Sequence, residues 1–197
     1  SNPFNEVRLK GGNQQALTNQ LLECAEFPES VSIGSRINLE KRVRDLMDAK
    51  QSQGTITNAS VYFRDLNNGP WFGIREDQNF YPASLLKVPL AITFYWLAEE
   101  KPEILTAQIE YDKADMNFEA DQFVGPQHAL EDGKIYSIED LIRIMLQESS
   151  NEAALALAQI AGKEQVQSVY EDFGIAVPAY DADHQTNVHT FASFFRI

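Results

Sequence analysis

The chain has 197 residues, 44% of them hydrophobic and 23% charged, which is typical of a folded protein with a buried core. Its net charge of −13 argues against nucleic acid as a partner, because phosphate binding depends on basic patches. A single cysteine excludes an internal disulfide, and no metal site or cofactor is predicted, because this cysteine and the three histidines lack ligand spacing.

The first part of the chain predicts helices followed by a β-hairpin. Residues 1–35 are interpreted as an N-terminal extension with one short helix at 13–26. A second helix is predicted from Asn38, a typical N-cap residue, to Gly54. Residues 55–75 then contain two β-branched and aromatic runs around an Asn-Asn-Gly turn signal, which predicts a hairpin. An isolated hairpin is marginal in water, so we expect it to belong to a larger sheet.

The rest of the chain has a mostly helical pattern. Its four main helices are predicted at 84–100, 137–147, 151–161 and 163–173. The first of these is so apolar that we expect it to be buried on nearly all sides. A loop at 175–187 and a final helix near Asn187 complete the pattern. We therefore expect one domain at 36–197, with a helix–hairpin part at 36–80 and a helical lobe at 81–197.

Ser84 and Lys87 stand three positions apart at the start of the apolar helix, where side chains i and i+3 share a face. A serine needs a base to become a nucleophile, and a lysine among apolar neighbours can lose its proton through desolvation. The N–H groups at a helix N-terminus also favour a developing oxyanion. The alternative is an ordinary first turn with a snorkelling lysine. Pro89 weakens that alternative, because an interior proline costs a helix hydrogen bond.

A second candidate motif, Glu148-Ser149-Ser150-Asn151, lies at the junction of two predicted helices. Such a junction can direct short polar side chains into a cleft. The alternative is that Ser149 or Ser150 only caps the following helix. The residues alone leave both interpretations open.

Together, YPASLLKVPLA and ESSNEAA resemble the S-x-x-K and S-D-N motifs of the penicillin-recognising serine hydrolases. These include the class A β-lactamases and the penicillin-binding D-alanyl-D-alanine peptidases. The resemblance covers about residues 36–197, with Ser150 in place of the motif's aspartate. It implies an α+β (αβα) fold of the β-lactamase/transpeptidase type, in which helices flank an antiparallel sheet beside a mostly helical lobe.

The resemblance also implies roles for four residues. Ser84 would be the acylated nucleophile, and its backbone N–H would form half of the oxyanion hole. Lys87 would be its base, and Ser149 would protonate the leaving nitrogen. Asn151 would bind the amide side chain of the substrate.

Two departures from the family pattern concern the later part of the chain. Residues 174–187 offer Asp181 and Asp183 but no Glu-x-x-x-Asn, the pattern that activates the deacylating water in class A β-lactamases. Slow deacylation therefore fits better than fast β-lactam hydrolysis. The third motif, Lys-Thr-Gly or a relative, is absent from the sequence. We expect a C-terminal portion with that motif and further strands to be missing from this chain.

The implied function is a serine hydrolase that forms an acyl-enzyme with β-lactams or peptidoglycan peptides. The alternatives are a slowly deacylating peptidase, a non-catalytic or truncated penicillin-binding sensory domain, and an unrelated helical interaction protein. The family implies an extracytoplasmic location, with a signal or membrane anchor outside these residues. The sequence leaves the substrate and the oligomeric state open.

Overall fold

The structure is a computed structural model, and it describes residues 33–65, 71–115, 129–175 and 185–195. The helices are α1 (Ile33–Ser52), α2 (Lys87–Glu100), α3 (Ile138–Gln147), α4 (Asn151–Ala161), α5 (Lys163–Asp172) and α6 (Val188–Phe191). The strands are β1 (Val61–Arg64), β2 (Trp71–Ile74), β3 (Asn79–Phe80), β4 (Gln108–Glu110), β5 (Ile135–Ser137) and β6 (Thr186–Asn187). The strands pair antiparallel as β1–β2, β3–β6 and β4–β5. The fold is therefore α+β, which confirms the predicted class.

The chain divides into two compact units. Among the described residues, one contains 82–115 and 129–175, and the other contains 33–65, 71–81 and 185–195. We call the described part of the first the helical unit and the described part of the second the sheet unit. The sequence analysis instead assigns 81–197 to one helical lobe. The difference arises because β6, near the end of the chain, pairs with β3 of the sheet unit.

The sheet unit is built on the hairpin of β1 and β2, which confirms that prediction. Because side chains alternate along a strand, the hairpin has two different faces. Phe72 and Ile74 lie on one face and form a buried cluster with Met47 of α1. On the other face, the ring of Tyr62 stacks on the ring of His189 in α6, with centroids 4.9 Å apart. The predicted turn at 67–69 lies outside the described residues.

Two further features of the sheet unit differ from the sequence analysis. Helix α1 begins at Ile33, so Asn38 lies inside the helix and is not its N-cap. Asparagine inside a helix costs only about 0.7 kcal/mol relative to alanine, so its neighbours can carry the helix through it. Asn187 pairs with Asn79 in a short strand within the predicted loop. It is also the N-cap of α6, so the predicted start of the final helix near Asn187 is confirmed. The predicted helix at 13–26 lies outside the described residues.

Helix α2 packs against α3, α4 and α5 in the helical unit. Its buried side chains include Leu90, Phe94 and Leu97, which have the spacing of one helical face. Burial of such faces stabilises the unit by about 25 cal/mol per Å² of apolar surface. Seven of the fourteen residues of α2 are buried, and Tyr95, Glu99 and Glu100 are exposed, so the helix is buried on most sides but not on the side of Tyr95.

The helix starts in this unit explain how the motifs are held. Helix α2 begins at Lys87, after a 3₁₀ turn at Ala83–Leu86. Pro89 is therefore the third residue of α2. Because the N–H groups of the first helical turn have no intrahelical partners, the predicted cost of an interior proline does not arise here. Ser137 is the N-cap of α3, as the predicted capping pattern indicates, because its hydroxyl accepts a hydrogen bond from the Asp140 backbone N–H at 3.0 Å.

The β4–β5 pair was not predicted, and it brings two distant segments of the helical unit together. Ile109 of β4 lies opposite Tyr136 of β5. Beyond the strands, the backbone N–H of Tyr111 donates to the Lys134 carbonyl at 2.9 Å, and that of Gly133 donates to the Tyr111 carbonyl at 2.8 Å. Tyr111 is thus fixed to the segment that follows residue 129.

Candidate active site

Ser84 lies in the 3₁₀ turn directly before α2. Side chains at i and i+3 eclipse one another on such a turn, so Ser84 and Lys87 project from the same side. Ser84 is exposed, whereas Lys87 is only 8% exposed. Lys87 Nζ donates a hydrogen bond to Ser84 Oγ at 3.4 Å. The structure therefore brings the two residues of the first motif into contact.

The second motif forms the junction between α3 and α4, and its members have different tasks. Ser150 is fully buried, and its hydroxyl accepts a hydrogen bond from the Ala153 backbone N–H at 3.2 Å, which caps α4. Ser149 precedes the cap with a φ of +55°, and Asn151 is the first residue of α4. The capping alternative thus holds for Ser150, and it leaves Ser149 and Asn151 available for other contacts.

Lys87 joins the two motifs. Its ammonium donates to Asn151 Oδ1 at 2.7 Å, to Ser149 Oγ at 3.0 Å and to the Ser149 backbone carbonyl. Ser149 Oγ in turn lies 2.9 Å from Ser84 Oγ, within hydrogen-bonding distance. A path of hydroxyl and amine groups therefore runs from Ser84 through Ser149 to Lys87, beside the direct contact.

The environment of Lys87 favours the neutral amine. Burial lowers the pKa of Lys87 below its usual value of 10.5, because desolvation penalises the charged form. The four oxygen partners of its Nζ are neutral hydroxyl, amide and carbonyl groups, which do not offset that penalty as a carboxylate would. A buried amine with a lowered pKa can accept a proton from a hydroxyl in contact with it.

Backbone strain is located at both motifs. Ala83, which precedes Ser84, has a φ of +47°, and Ser149 has a φ of +55°. Residues other than glycine rarely adopt these angles, which cost of order 1–2 kcal/mol each. In the described part of the helical unit, these are the non-glycine residues with positive φ. Such strain persists only where the surroundings hold the backbone in place, and it is concentrated at functional sites.

All four residues predicted from the motifs meet in the helical unit: Ser84, Lys87, Ser149 and Asn151. Their individual catalytic roles stay predictions. The sequence analysis missed the strain at Ala83, because an alanine gives no local signal for a positive φ. Asp181 and Asp183, the two acids of the loop that lacks the deacylating glutamate, lie outside the described residues.

Two features are absent from residues 33–65, 71–115, 129–175 and 185–195, which the structure describes. Within these ranges, no group of three or more His, Cys, Asp or Glu side chains is arranged to hold a metal ion. The same ranges contain no helix that is both long and apolar enough to cross a membrane. Cys24, His128 and His184 lie outside them.

A family model described as the beta-lactamase enzyme family matches residues 38–195 of the chain. No curated protein matches the chain. The family match covers both motifs and most of the described residues.

Several solved structures have a similar fold. PBP-A matches with 18% identity and a TM-score of 0.53, over 76% of this chain and 59% of that protein. A beta-lactamase from Sphaerobacter thermophilus DSM 20745 matches with 22% identity and a TM-score of 0.56, over 68% and 52%. A class A beta-lactamase from Mycobacterium abscessus matches with 19% identity and a TM-score of 0.57, over 70% and 55%. The chain thus spans between half and two thirds of the length of these proteins.

Proposed function

The chain belongs to the beta-lactamase enzyme family, and from this membership we propose that it is a serine hydrolase that forms an acyl-enzyme at Ser84 with β-lactams or D-alanyl peptides. The observation that carries the proposal is the hydrogen-bonded path from Ser84 through Ser149 to Lys87. It supplies a hydroxyl nucleophile with a base whose pKa is lowered by burial. A mutant of PBP-A, which has a similar fold, has been solved as an acyl-enzyme complex with penicillin G.

In the proposed acylation, Ser84 Oγ attacks the carbonyl carbon of the substrate while its proton moves to the neutral amine of Lys87. The C–N bond of the lactam or peptide then breaks, and the leaving nitrogen takes a proton from the Ser149 hydroxyl. Lys87 returns the proton it received to Ser149. The proton lost by Ser84 is thereby balanced by the proton gained by the leaving group. The 2.9 Å and 3.0 Å contacts of Ser149 lie within the range for such transfers.

Asn151 is assigned to substrate binding. Its Oδ1 accepts a hydrogen bond from Lys87 at 2.7 Å, which orients the side-chain amide. The NH₂ group of that amide is a donor that suits a carbonyl oxygen in the side chain of a β-lactam or in a peptide. The contact with Lys87 therefore couples substrate binding to the base.

Slow deacylation is the second part of the proposal. Residues 174–187 contain no glutamate, so the sequence lacks the Glu-x-x-x-Asn pattern that activates water in class A β-lactamases. An acyl-enzyme at Ser84 should accumulate if no other group replaces that glutamate. This behaviour fits a penicillin-binding D-alanyl peptidase or a penicillin-binding sensory domain better than a fast β-lactamase.

The test is the intact mass of the protein before and after incubation with penicillin G. We expect one adduct per chain that persists for minutes or longer, and no adduct with the Ser84→Ala variant, because only Ser84 contacts both Ser149 and Lys87 as a nucleophile would. Ser168→Ala is the matched control, since this serine lies on α5 and its hydroxyl only donates to the Glu164 carbonyl at 3.0 Å. It should label like the wild type.

Each other result identifies a different error. A wild-type protein that gains no mass with penicillin G or with a D-alanyl peptide analogue would contradict the proposal. An adduct on Ser84→Ala would show that another residue is the nucleophile. Rapid turnover of a chromogenic cephalosporin would keep the nucleophile but refute slow deacylation.

We also propose that the protein works outside the cytoplasmic membrane, because peptidoglycan peptides and β-lactams are met there. Fractionation of the source cells, with detection by a penicillin label, tests this location. Label confined to the cytoplasmic fraction would contradict it.

A further inference from the structure

Glu152 is the second residue of α4 and directly follows Asn151. Its carboxylate oxygen Oε2 accepts a hydrogen bond from the Leu130 backbone N–H at 3.1 Å. Besides burial, the charge of this carboxylate raises the pKa of the Tyr111 hydroxyl, so Tyr111 lies near it. Leu130 and Tyr111 both lie outside α4, so Glu152 ties the start of this helix to two distant parts of the helical unit.

The position of Tyr111 is fixed by its burial and by its backbone hydrogen bonds. It is only 2% exposed, and burial, followed by the charges of Glu152 and Asp132, raises the pKa of its hydroxyl. Its backbone is hydrogen-bonded in both directions to residues 133 and 134. Because Tyr111 and Leu130 belong to segments that are fixed to each other, Glu152 binds one preassembled surface.

A simpler account is that an acid near a helix start interacts with the helix dipole. The chain provides a comparison, because Glu164 is also the second residue of its helix, α5. Glu164 is exposed, whereas Glu152 is partly buried, accepts the hydrogen bond from Leu130 and acts on the buried Tyr111 hydroxyl. The dipole explains both acids, but it does not explain why only Glu152 is tied to other segments in this way.

The position of Glu152 suggests what the tie holds. Ser149, three residues earlier, has a strained φ of +55°, and such a conformation requires surroundings that fix it. Ser150 fixes the junction from inside α4 through its cap. Glu152 fixes the same helix start from outside, through Tyr111 and Leu130.

We propose that Glu152 and Tyr111 are a positioning pair that holds the Ser149–Asn151 junction against Lys87. Neither residue contacts Ser84, so neither is catalytic in itself. The effect on acylation rests on the function proposed above. The effect on the surroundings of Lys87 does not, since the contacts of Lys87 with Ser149 and Asn151 are present whatever the substrate is.

The first experiment measures the rate of acylation by a fluorescent penicillin for four variants of the full protein. Glu152→Ala should slow the acylation step at least about 10-fold, because small displacements of catalytic groups cost factors of 10 to 100. Glu152→Gln keeps an acceptor for Leu130 and a partner for Tyr111, so it should restore most of the rate. Tyr111→Phe should fall between these two. Glu164→Ala, the matched loss of an acid from a helix start, should react like the wild type.

The second experiment follows the titration of Lys87 by NMR of isotopically methylated lysines, with the signal assigned by Lys87→Arg. A junction that moves away exposes Lys87 to water, so in Glu152→Ala its titration should move towards its ordinary value of 10.5. Glu152→Gln and Glu164→Ala should titrate like the wild type. A protein that is merely less stable but still folded would not change this midpoint.

The two experiments separate the two proposals. If the wild type forms no acyl-enzyme, the proposed function fails and the titration still decides on the positioning pair. If the wild type is acylated but Glu152→Ala behaves like Glu164→Ala in rate and titration, the positioning pair is refuted. Loss of activity in Glu152→Gln equal to that in Glu152→Ala would also refute it, since the charge and not the hydrogen bond would then matter.

Discussion

Two consecutive helix junctions in the helical unit turn the backbone with different residues. Between α4 and α5 the chain turns at Gly162, with a φ of +78°, which glycine adopts without steric cost. Between α3 and α4 it turns at Ser149, with a φ of +55°. Gly162 gives α5 no side-chain cap, whereas Ser149 directs its hydroxyl to Lys87 Nζ at 3.0 Å.

The comparison shows where strain is retained. A glycine at position 149 would satisfy the backbone angle, but it would remove the hydroxyl that bridges Ser84 and Lys87. The cost of a left-handed serine is of order 1–2 kcal/mol, a substantial part of the stability of a domain. The junction between α3 and α4, here called the first junction, is therefore shaped by its contacts with Lys87. The junction between α4 and α5, here called the second junction, is shaped by the path of the chain.

Replacing Ser149 with glycine or alanine separates the energetic cost of its positive φ from the effect of its hydroxyl on acylation. Both variants lose the bridge between Ser84 and Lys87, so we expect acylation to slow about 100-fold or more, as is typical for the loss of an acid–base group. Ser149→Gly relieves the strain, so its free energy of unfolding should exceed that of Ser149→Ala by about 1 kcal/mol. Stopped-flow labelling and urea unfolding measure the two effects. Equal stabilities would argue against strain, and an unchanged rate would argue against the bridge.

The pH dependence of acylation tests the base that the first junction contacts. Only neutral Lys87 accepts the proton of Ser84, so the rate should rise about tenfold per pH unit while the ammonium form predominates. It should level off once the pH exceeds the pKa of Lys87, and because that pKa is lowered, the plateau begins below pH 10.5. Lys87→Arg stays charged and should show no such rise. A wild-type profile that is flat over the same range would contradict Lys87 as the base.

At the second junction, Gly162→Ala makes the opposite change to Ser149→Gly, because it introduces backbone strain where Ser149→Gly removes it. Gly162 has a φ of +78° and a ψ of +157°, a region that is essentially restricted to glycine, so the new methyl group should cost about 3 kcal/mol. Its Cβ would also lie 3.2 Å from the side-chain Oε1 of Gln165. Acylation should stay within about twofold of the wild type, since this junction follows α4 rather than preceding it. Gly174→Ala is the control for strain alone, because its φ is +65° and no described atom lies within 4 Å of the new Cβ. A large loss of acylation in Gly162→Ala would contradict the conclusion that the two junctions differ in their effect on acylation.

The sequence predicts those parts of the fold that depend on local patterns. The N-cap at Ser137 and the bounds of α4 are visible in a few consecutive residues, and the structure has both. The pairing of Asn79 with Asn187 could not be predicted, because strands of two residues have no periodicity and the partners are distant in sequence. The start of α1 at Ile33 was missed for a different reason, since Asn38 offers a cap signal that the longer helix overrides.

The residues of the candidate site can likewise be predicted only where patterns in the sequence indicate them. The spacing of Ser84 and Lys87 and the helix junction at Ser149 and Asn151 only make these residues candidates, and the resemblance of the two motifs together to the serine hydrolases selects them. The contact between Tyr111 and Glu152 depends on tertiary packing across segments, and no motif indicates it. Residue type alone does not distinguish Ser150 from Ser149, whereas the motif resemblance does, and the structure shows that Ser150 caps α4 and Ser149 faces Lys87.

The hydrogen bond between Ser84 and Ser149 joins residues 65 positions apart. During synthesis at roughly 5–20 residues per second, several seconds pass between the emergence of the nucleophile and that of its partner. Throughout this interval Lys87 lacks the oxygens of Ser149 and Asn151, and Ser84 is an ordinary hydroxyl. The contacts of Lys87 with Ser149 and Asn151 can therefore form only after α4 has been synthesised and has docked, so this group of side chains assembles late in the folding of the helical unit.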